Sequence, residues 1–361
     1  MICLPSGYVS ILIFLKYIKF WKTMIDGHGD DIFRYGDKIK INFSSNIPQK
    51  VDHSGLLSHL SMAGAIFKNY PEPEPLSVEL KLAGLYGIDA ENIIVTNGAT
   101  EAIYLLAHVF SGGQSTIVSP TFREYQDACR VFNHIVRFVT SLDAIEQGDD
   151  MVWLCNPNNP TGMAYDKGKL LAIVDHHPDT LFVVDQAYAL FSVKEVFSIA
   201  DVMLRKNVVV LHSLTKQFVV PGLRIGYAVG PADILNRLRS LRMPWSVNSI
   251  AIEAALYLLE NSRNYAFNAH ELHAETMRLA TEISRLGIDV SSTDCNFLLA
   301  RLPYNSAAEL KSWLIDNHGV LIRDASNFEG LTPRHFRVAA QIREENNMLI
   351  NALREWTSLY R

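Results

Sequence analysis

Short apolar runs and helical segments alternate through the middle of the sequence. The runs Ile93 to Thr96, Met151 to Cys155 and Leu181 to Val184 have the length and the apolar character of buried strands. Segments such as Lys167 to His176, which lie between such runs, have the residue spacing of helices. Strands that alternate with helices over roughly 140 residues are typical of a mostly parallel sheet with helices on both faces. The sequence therefore predicts an α/β fold.

The length of the chain allows more than one domain. The chain has 361 residues, of which 48% are hydrophobic, so it can bury a sizeable core. We expect a large domain over residues 56–249, which contain the alternating region. Mainly helical sequence with a few short candidate strands follows it. We therefore assign residues 24–55 and 250–361 to a smaller α+β domain.

Charge and cysteine content argue against several classes of protein. The net charge is −5, and acidic and basic residues are interspersed, so no nucleic-acid partner is expected. The four cysteines lie far apart and form no C-x-x-C pair. This spacing favours the reducing cytoplasm over a disulfide framework, and it indicates no metal site.

An apolar segment, Tyr8 to Trp21, precedes the predicted domains. Lys16 and Lys19 interrupt it, and its uncharged part is well under the roughly 20 residues that span a bilayer. The lysines follow the apolar run, whereas in a signal peptide the positive charge precedes it. No membrane association is expected. Residues 1–23 are either an amphipathic surface helix or upstream sequence that is not normally translated, with Met24 as the start; we favour the second interpretation.

One lysine follows a predicted strand directly. Lys216 lies in Ser213-Leu214-Thr215-Lys216, after the apolar run Val208 to Leu211. In open α/β sheets, active sites form beyond the carboxyl ends of the strands. The amine can form a Schiff base, and two hydroxyls together with Arg224, eight positions on among glycines, can clamp a phosphate. Pyridoxal phosphate (PLP) requires both, although a lone lysine is usually a solvated surface residue.

Other loops at predicted strand ends carry groups that suit the same cofactor. Ala99 and Thr100 lie in a glycine turn that opens a helix, which suits a phosphate. Asp185 ends a strand, where a poorly solvated carboxylate needs a cationic partner such as a pyridinium nitrogen. Phe122 can lay its ring against a flat molecule, and the loop Asn156 to Gly162 can donate side-chain amides. Taken alone, each has an ordinary alternative, such as a capped turn or a core phenylalanine.

In order and spacing, these segments resemble those of the class I and II aminotransferases of PLP fold type I. The resemblance extends over about residues 25–361. It rests on these motifs: Tyr70-Pro71, Asn97-Gly98-Ala99-Thr100-Glu101, Asn156 to Gly162, Asp185-Gln186-Ala187-Tyr188, Ser213-Leu214-Thr215-Lys216 and Gly222 to Tyr227. It implies a PLP-dependent enzyme whose large domain has a mostly parallel sheet between helices, beside a smaller α+β domain.

The resemblance also implies roles for individual residues. Lys216, Asp185 and Tyr188 would be catalytic: Lys216 would form the Schiff base, Asp185 would keep the pyridine nitrogen protonated, and Tyr188 would bond the ring oxygen. The remaining cofactor residues would be Phe122 against the ring, Asn159 on the ring oxygen, Ala99, Thr100, Ser213, Thr215 and Arg224 on the phosphate, and Tyr70 from a second subunit. The expected assembly is therefore a homodimer.

Within this family the chain is most similar to the threonine-phosphate decarboxylases of the cobalamin pathway, with the histidinol-phosphate aminotransferases as near relatives. The similarity rests on Ile41 to Asn46, Ile322 to Leu331 and His335 to Ala339. It implies that the substrate is a phosphorylated amino acid. The expected substrate-binding residues are His28, Asn46, Arg323, Asn327 and Arg337, with Arg337 on the α-carboxylate. Two positions depart from the pattern: Asp30 stands where a glycine is usual, and Pro48-Gln49 stands where Asn-Pro is usual.

Three functions stay open at this point: a PLP decarboxylase, a PLP aminotransferase and a non-enzymatic PLP-binding regulator. PLP withdraws electrons from whichever Cα bond stands perpendicular to its ring, so the binding geometry selects the reaction. We favour decarboxylation of phosphothreonine to aminopropanol phosphate, because Arg323 and Arg337 indicate two anionic groups on the substrate. A regulator usually has an added DNA-binding domain, and residues 1–23 are too few and show no helix-turn-helix pattern.

Overall fold

The computed structural model describes residues 29–48 and 50–360. The predicted N-terminal segment, residues 1–23, and the expected substrate residue His28 lie outside the described residues. In chain order, the strands of the described part are β1 (Ile41–Asn42), β2 (Ile93–Thr96), β3 (Gln114–Val118), β4 (Ile135–Val139), β5 (Met151–Cys155), β6 (Leu181–Asp185), β7 (Val208–His212), β8 (Gly226–Val229), β9 (Asp289–Val290), β10 (Phe297–Arg301), β11 (Val320–Leu321), β12 (Arg323–Asp324) and β13 (His335–Ala339).

Helices connect most of these strands. In the same residues, the α-helices are α1 (Ser54–Met62), α2 (Leu76–Tyr86), α3 (Gly98–Val109), α4 (Glu124–Val131), α5 (Lys167–His176), α6 (Ile199–Met203), α7 (Leu214–Gln217), α8 (Ala232–Leu241), α9 (Ser249–Glu260), α10 (Ala269–Arg285), α11 (Ala307–His318) and α12 (Arg343–Leu359). Within the described part of the chain, no helix combines the length and the apolar character that crossing a lipid bilayer requires.

The large sheet has seven strands in the order β2-β8-β7-β6-β5-β3-β4. Its neighbours from β7 to β4 pair in parallel, and β8 is antiparallel to both β2 and β7. Alternate residues of a strand point to opposite faces. In β5, Val152 and Leu154 join one hydrophobic core, whereas Met151, Trp153 and Cys155 join the core on the other face. Because both faces are buried under helices, the prediction of a mostly parallel sheet between helices is confirmed.

Parallel strands place their following loops at one edge of this sheet. β5, β6 and β7 are consecutive neighbours, and they end at Cys155, Asp185 and His212. Cys155 lies directly opposite Asp185 in the pairing of β5 with β6. The loops that begin at these three residues therefore meet at the carboxyl edge of the sheet.

A second, antiparallel sheet has the order β12-β13-β10-β9. Helices α10, α11 and α12 share a hydrophobic core with it, to which Leu279, Leu310 and Trp356 contribute. The early strand β1 pairs in parallel with β11, and Ile41 and Phe43 enter the same core. This packing places the beginning of the described chain beside its last third.

The expected domain boundaries, between residues 55 and 56 and between residues 249 and 250, stay a prediction. Helix α9 begins at Ser249 and packs into the core under the large sheet, together with α2. The sequence from Ile250 to Leu286 has the spacing of helix with a possible break, and in the structure the break lies between α9 and α10. There the Asn268 side chain accepts the backbone N–H groups of His270 and Glu271, which caps the start of α10.

Candidate active site

A cavity of about 380 Å³ lies at the carboxyl edge of the large sheet, between it and the small sheet. Its walls come from distant parts of the chain. The lining residues that the sequence predicted are Ala99, Thr100, Phe122, Asn159, Asp185, Tyr188, Ser213, Thr215, Lys216, Arg224, Arg323 and Arg337. The others are Gly29, Asp30, Ser44, Ser45, Ile103, Arg123, Cys155, Ala187 and Phe328.

Asp185 is a nearly inaccessible carboxylate at the end of β6, with 4% of its surface exposed. Its Oδ2 accepts the hydroxyl of Tyr125 at 2.7 Å, and its Oδ1 accepts the backbone N–H of Ala187 at 2.9 Å. Burial raises the pKa of Asp185, although both hydrogen bonds and the charge of Lys216 oppose this effect. A buried carboxylate of this kind is stabilised by a cation placed against it.

Tyr125, which the sequence analysis did not single out, fixes the orientation of this carboxylate. Its ring stacks on Trp153 with centroids 5.7 Å apart and meets the edge of Phe122 at 5.8 Å. Tyr125 lies on α4, so its side chain reaches Asp185 from the helix layer beneath the sheet edge. No motif in the sequence marks this residue, because its role depends on the packing of α4 against β5 and β6.

Lys216 lies on α7, the short helix that follows β7. Its Nζ donates to the backbone oxygen of Ser45 at 3.4 Å. Burial lowers the pKa of Lys216 to about 8, helped by Arg337 and Arg224 and opposed by Asp30 and Asp185. The amine is therefore closer to its neutral, nucleophilic form at neutral pH than an ordinary lysine is.

The phosphate-binding groups predicted from the sequence lie together at the start of α3. The hydroxyls of Ser213 and Thr215 share a hydrogen bond of 2.7 Å. Gly98 has a φ of +76°, and a Cβ atom there would lie 2.6 Å from Nη2 of Arg224. Glycine is therefore required for the guanidinium to reach the free N–H groups at the helix N-terminus, which is a favourable place for an anion.

Asn159 and Tyr188 lie on the side of the cavity where the two sheets meet. Oδ1 of Asn159 accepts a hydrogen bond from Nη1 of Arg337, which leaves the side-chain NH2 group of Asn159 as a donor. Burial raises the pKa of Tyr188 to about 12, although the charge of Arg337 opposes this effect. Both side chains can therefore donate a hydrogen bond at neutral pH.

Arg323 and Arg337 lie directly opposite each other on the antiparallel strands β12 and β13. Both are buried, with 6% and 4% of their surfaces exposed. Nη2 of Arg337 donates to the backbone oxygen of Ser44 at 2.6 Å, and Nη2 of Arg323 donates to Oδ1 of Asn327 at 2.7 Å. Burial lowers the pKa of Arg337 to about 9 and that of Arg323 to about 10. Two adjacent buried guanidiniums form a strong site for anions.

The segment around Gly29 closes the cavity over these arginines. A Cβ atom at Gly29 would lie 3.0 Å from the backbone oxygen of Ser44 and 3.2 Å from Nη2 of Arg337. Asp30 has a φ of +61°, and its carboxylate accepts a hydrogen bond from Nδ2 of Asn42 at 2.5 Å. Asp30, one of the two positions at which the chain departs from the family pattern, therefore lines the cavity itself.

Three predicted residues of the described part do not line the cavity. Asn327 lies behind Arg323, to which it is hydrogen-bonded, and Asn46 is buried beside Tyr188. Tyr70 is 84% exposed, and its ring lies 5.4 Å from that of Trp245 on the surface. Tyr70 is therefore not part of the cavity of its own chain.

The lining side chains carry a surplus of positive charge. Lys216, Arg123, Arg224, Arg323 and Arg337 are cationic, and Asp30 and Asp185 are acidic. The cavity therefore suits molecules with several negative charges.

The chemistry of PLP matches this set of groups. PLP carries an aldehyde, a ring nitrogen that can be protonated, a ring oxygen and a phosphate. The lowered pKa of the amine of Lys216 suits the aldehyde, and the buried carboxylate of Asp185 suits a protonated nitrogen. The hydroxyl pair and Arg224 at the start of α3 suit the phosphate. The residues present therefore fit the cofactor.

Comparison with known proteins gives the class to which this fold and site belong. The profile of the family described as "Aminotransferase class I and II" matches residues 38–353. The chain belongs to this family, whose members depend on PLP, and the predictions of family, fold and cofactor are confirmed.

Individual relatives give a finer comparison. The chain is 31% identical to the threonine-phosphate decarboxylase of Salmonella typhimurium over 80% of this chain and 83% of that protein. It is 31% identical to a histidinol-phosphate aminotransferase of Desulfitobacterium hafniense over 83% of this chain and 87% of that protein. The crystal structure of L-threonine-O-3-phosphate decarboxylase from Porphyromonas gingivalis is similar with a TM-score of 0.86 at 37% identity, covering 88% of this chain and 99% of that one.

Proposed function

We propose that this protein is a PLP-dependent decarboxylase of a phosphorylated amino acid, with phosphothreonine as the substrate and aminopropanol phosphate as the product. The observation that carries the proposal is the buried pair of Arg323 and Arg337 in one cavity with Lys216. An amino acid with only an α-carboxylate would supply one anion to a site that has two guanidiniums. A phosphorylated amino acid supplies one anion for each.

The residues of the large domain would hold the cofactor. Lys216 supplies the amine for the covalent link, and Asp185 lies ready as the counterion of a protonated ring nitrogen. Asn159 and Tyr188 would donate to the ring oxygen, and Phe122 would lie against the ring. The phosphate would be bound by Ala99, Thr100, Ser213, Thr215 and Arg224. PLP bound in this way supplies the electron sink that weakens a bond at the substrate's Cα.

The residues of the small domain would orient the substrate. Nε of Arg337 is buried and has no hydrogen-bond partner among the described residues, so it offers a donor to an incoming carboxylate. A guanidinium that binds a carboxylate through two parallel hydrogen bonds fixes the plane of that carboxylate. The plane decides whether the bond to CO2 or the bond to the Cα proton is weakened. Arg323 and its partner Asn327 would bind the substrate's phosphate, and we expect Asn46 and His28 near the same end.

The alternative function is amino transfer, as in a histidinol-phosphate aminotransferase. The identity of 31% to such an enzyme over most of the chain favours it. Histidinol phosphate carries a phosphate but no α-carboxylate, so it would supply one anion to the two guanidiniums, whereas phosphothreonine supplies two. The resemblance to decarboxylases, which reaches 37% identity at a TM-score of 0.86, is a second reason for preferring decarboxylation.

Two incubations test the proposal. The purified protein, supplied with PLP, is mixed with phosphothreonine, and CO2 release and aminopropanol phosphate are measured. In parallel it is mixed with histidinol phosphate and 2-oxoglutarate, and glutamate is measured. We expect CO2 from the first mixture and little glutamate from the second. Glutamate formation without CO2 release would establish the aminotransferase instead.

The assembly proposed for this enzyme is a homodimer in the cytoplasm. The ring of Tyr70 lies beside that of Trp245, and Met62, Phe67 and Met243, which are close to one or the other in the sequence, are exposed as well. A second copy of the chain would cover this face and receive Tyr70 at its phosphate site. Sedimentation at increasing dilution tests the assembly, and full activity of a monomer would contradict it.

The cysteines of the described part are free and buried, which supports a reducing compartment.

A further inference from the structure

A third arginine, Arg123, enters the cavity from the side of the large sheet. It directly precedes α4 and follows Phe122, and it lines the same cavity as Arg323 and Arg337. No motif in the sequence marks Arg123, in contrast to its aromatic neighbour Phe122. The functions proposed above for the cofactor residues make no use of Arg123.

The side chain of Arg123 makes only a weak ion pair with the helix that follows it, α4. Its Nε lies 3.3 Å from Oδ2 of Asp127, one helical turn further on, without the alignment of a hydrogen bond. The Arg123 side chain keeps 37% of its surface exposed. Ion pairs of this kind between neighbouring turns are weak, so Arg123 can turn toward an anion in the cavity at little cost.

Arg123 also reaches the small domain. A narrow cleft beside the main cavity is lined by Arg123 from one side and by Asn327 and Glu329 from the other. Asn327 is the residue that accepts a hydrogen bond from Arg323. Burial lowers the pKa of Arg323, Asp324 and Asp31 oppose this effect, and the charge of Arg123 adds a smaller lowering. Because Arg123 and Arg323 line the same cavity, one anion in it can contact both guanidiniums.

We propose that Arg123 and Arg323 bind the substrate's phosphate from opposite sides, so that one phosphate bridges the large and small domains. This inference rests on the proposed function, because it assumes a phosphorylated substrate. A phosphate dianion has three acceptor oxygens and can bind two guanidiniums at once, whereas the α-carboxylate is left to Arg337. Arg123 is then the residue by which the large domain distinguishes a phosphorylated amino acid from an ordinary one.

The test compares substitutions at Arg123 in the PLP-loaded enzyme. Arg123→Gln keeps most of the side chain and removes the charge, and Arg123→Lys keeps the charge. The loss of one charge-assisted contact should raise KM for phosphothreonine by about 10- to 100-fold in Arg123→Gln and leave kcat within about threefold. Arg123→Lys should recover part of that loss. Arg130→Gln is the control, because Arg130 lies exposed on α4, the helix that Arg123 precedes, and does not line the cavity.

A second measurement separates this inference from the proposed function. Binding of inorganic phosphate to the PLP-loaded protein is titrated in the wild type and in Arg123→Gln, and weaker binding in the variant supports the bridge even if phosphothreonine is not turned over. Turnover of phosphothreonine with an unchanged KM in Arg123→Gln would overturn the bridge and leave the decarboxylase intact. Equal phosphate binding by the two proteins would overturn the bridge in either case.

Discussion

The two walls of the cavity differ in how their charged groups are held. On the cofactor wall, formed by Asp185, Ser213, Thr215 and Lys216, most polar groups bond to the large sheet or to the helices on it, as in the contact of Asp185 with Tyr125, and Lys216 also reaches the backbone oxygen of Ser45. On the substrate wall, formed by Arg323 and Arg337, the contacts of Arg337 come from Ser44 and Asn159, two distant segments. The cofactor wall is thus held mainly by the large sheet and its helices, whereas the substrate wall depends on segments that come together only in the fold. Changes to the substrate wall should therefore spare cofactor binding.

The largest effect is expected for Lys216→Ala. The variant has no amine at the carboxyl edge of the sheet, so covalent attachment of PLP should be lost completely. The measurement is the mass of the peptide that contains residue 216 after borohydride reduction of the loaded protein. The control is Lys206→Ala, since Lys206 is exposed and lies outside the cavity. Reduced cofactor on another lysine of the variant would show that Lys216 is not the attachment site.

Asp185→Asn should come next in size. The neutral amide can still accept the hydroxyl of Tyr125, but it no longer stabilises a cation in its buried position. We expect PLP to remain covalently attached while kcat falls by about 100- to 1000-fold, the range typical of removing one preorganised electrostatic group. Asp143→Asn, at an exposed aspartate, serves as the control. A kcat within about twofold of the wild type, under ~0.5 kcal/mol of barrier, would make Asp185 a structural residue only.

Arg337→Lys addresses the substrate wall. A lysine keeps the charge but cannot hold the plane of a carboxylate, so turnover should fall by about 10- to 100-fold. Cofactor attachment should be unchanged, as judged by the reduced peptide mass. Arg334→Lys is the matched control, since Arg334 directly precedes β13 and is exposed. A loss of PLP attachment in Arg337→Lys would show that holding the cofactor also requires Arg337.

The smallest expected effect concerns pH and links the two walls. Because the pKa of Lys216 is lowered to about 8, the rate of PLP attachment to the apo-protein should rise about tenfold per pH unit below pH 8 and level off above it. Arg337 is the second cause of the lowered pKa of Lys216, after burial. Arg337→Gln should therefore move this profile to higher pH, but not as far as the pKa of an ordinary lysine. Asp30 acts in the opposite direction, so Asp30→Asn should move it to lower pH. A profile that rises only near pH 10, as for an ordinary lysine, would contradict the first expectation.

The sequence predicts where the residues of the cofactor wall lie, because they stand at or just beyond the ends of strands, and the structure brings them into one cavity. A strand such as Leu181–Asp185 is marked by its apolar run, and in parallel sheets the residue after such a run lies at the active edge. The substrate wall was predicted through a family resemblance alone. The pairing of Arg323 with Arg337 depends on the register between β12 and β13, and no local pattern in the sequence encodes that register.

Other differences have similar physical causes. Helical spacing runs from Leu56 to Lys68 in the sequence, whereas α1 extends from Ser54 to Met62 and turns follow it. The cap at Asn268, by contrast, is a local signal, and it lies within residues 250–286, where the sequence allows a break. Tyr125 and Arg123 were missed because their contacts are made between elements far apart in the chain. Local patterns thus identify strand ends and caps, whereas partners across elements require the fold.

The surplus of positive charge in the cavity also affects how fast the protein meets its substrate. The chain as a whole has a net charge of −5, so much of its surface repels an approaching dianion while the cavity attracts it. A cleft lined by one sign of charge focuses the electric field and raises the rate of diffusional encounter. Salt at 0.1 M screens such attraction beyond about 10 Å. Encounter with a phosphorylated amino acid should therefore slow as salt is added, whereas encounter with its unphosphorylated counterpart should change little, so discrimination begins while the substrate is still diffusing.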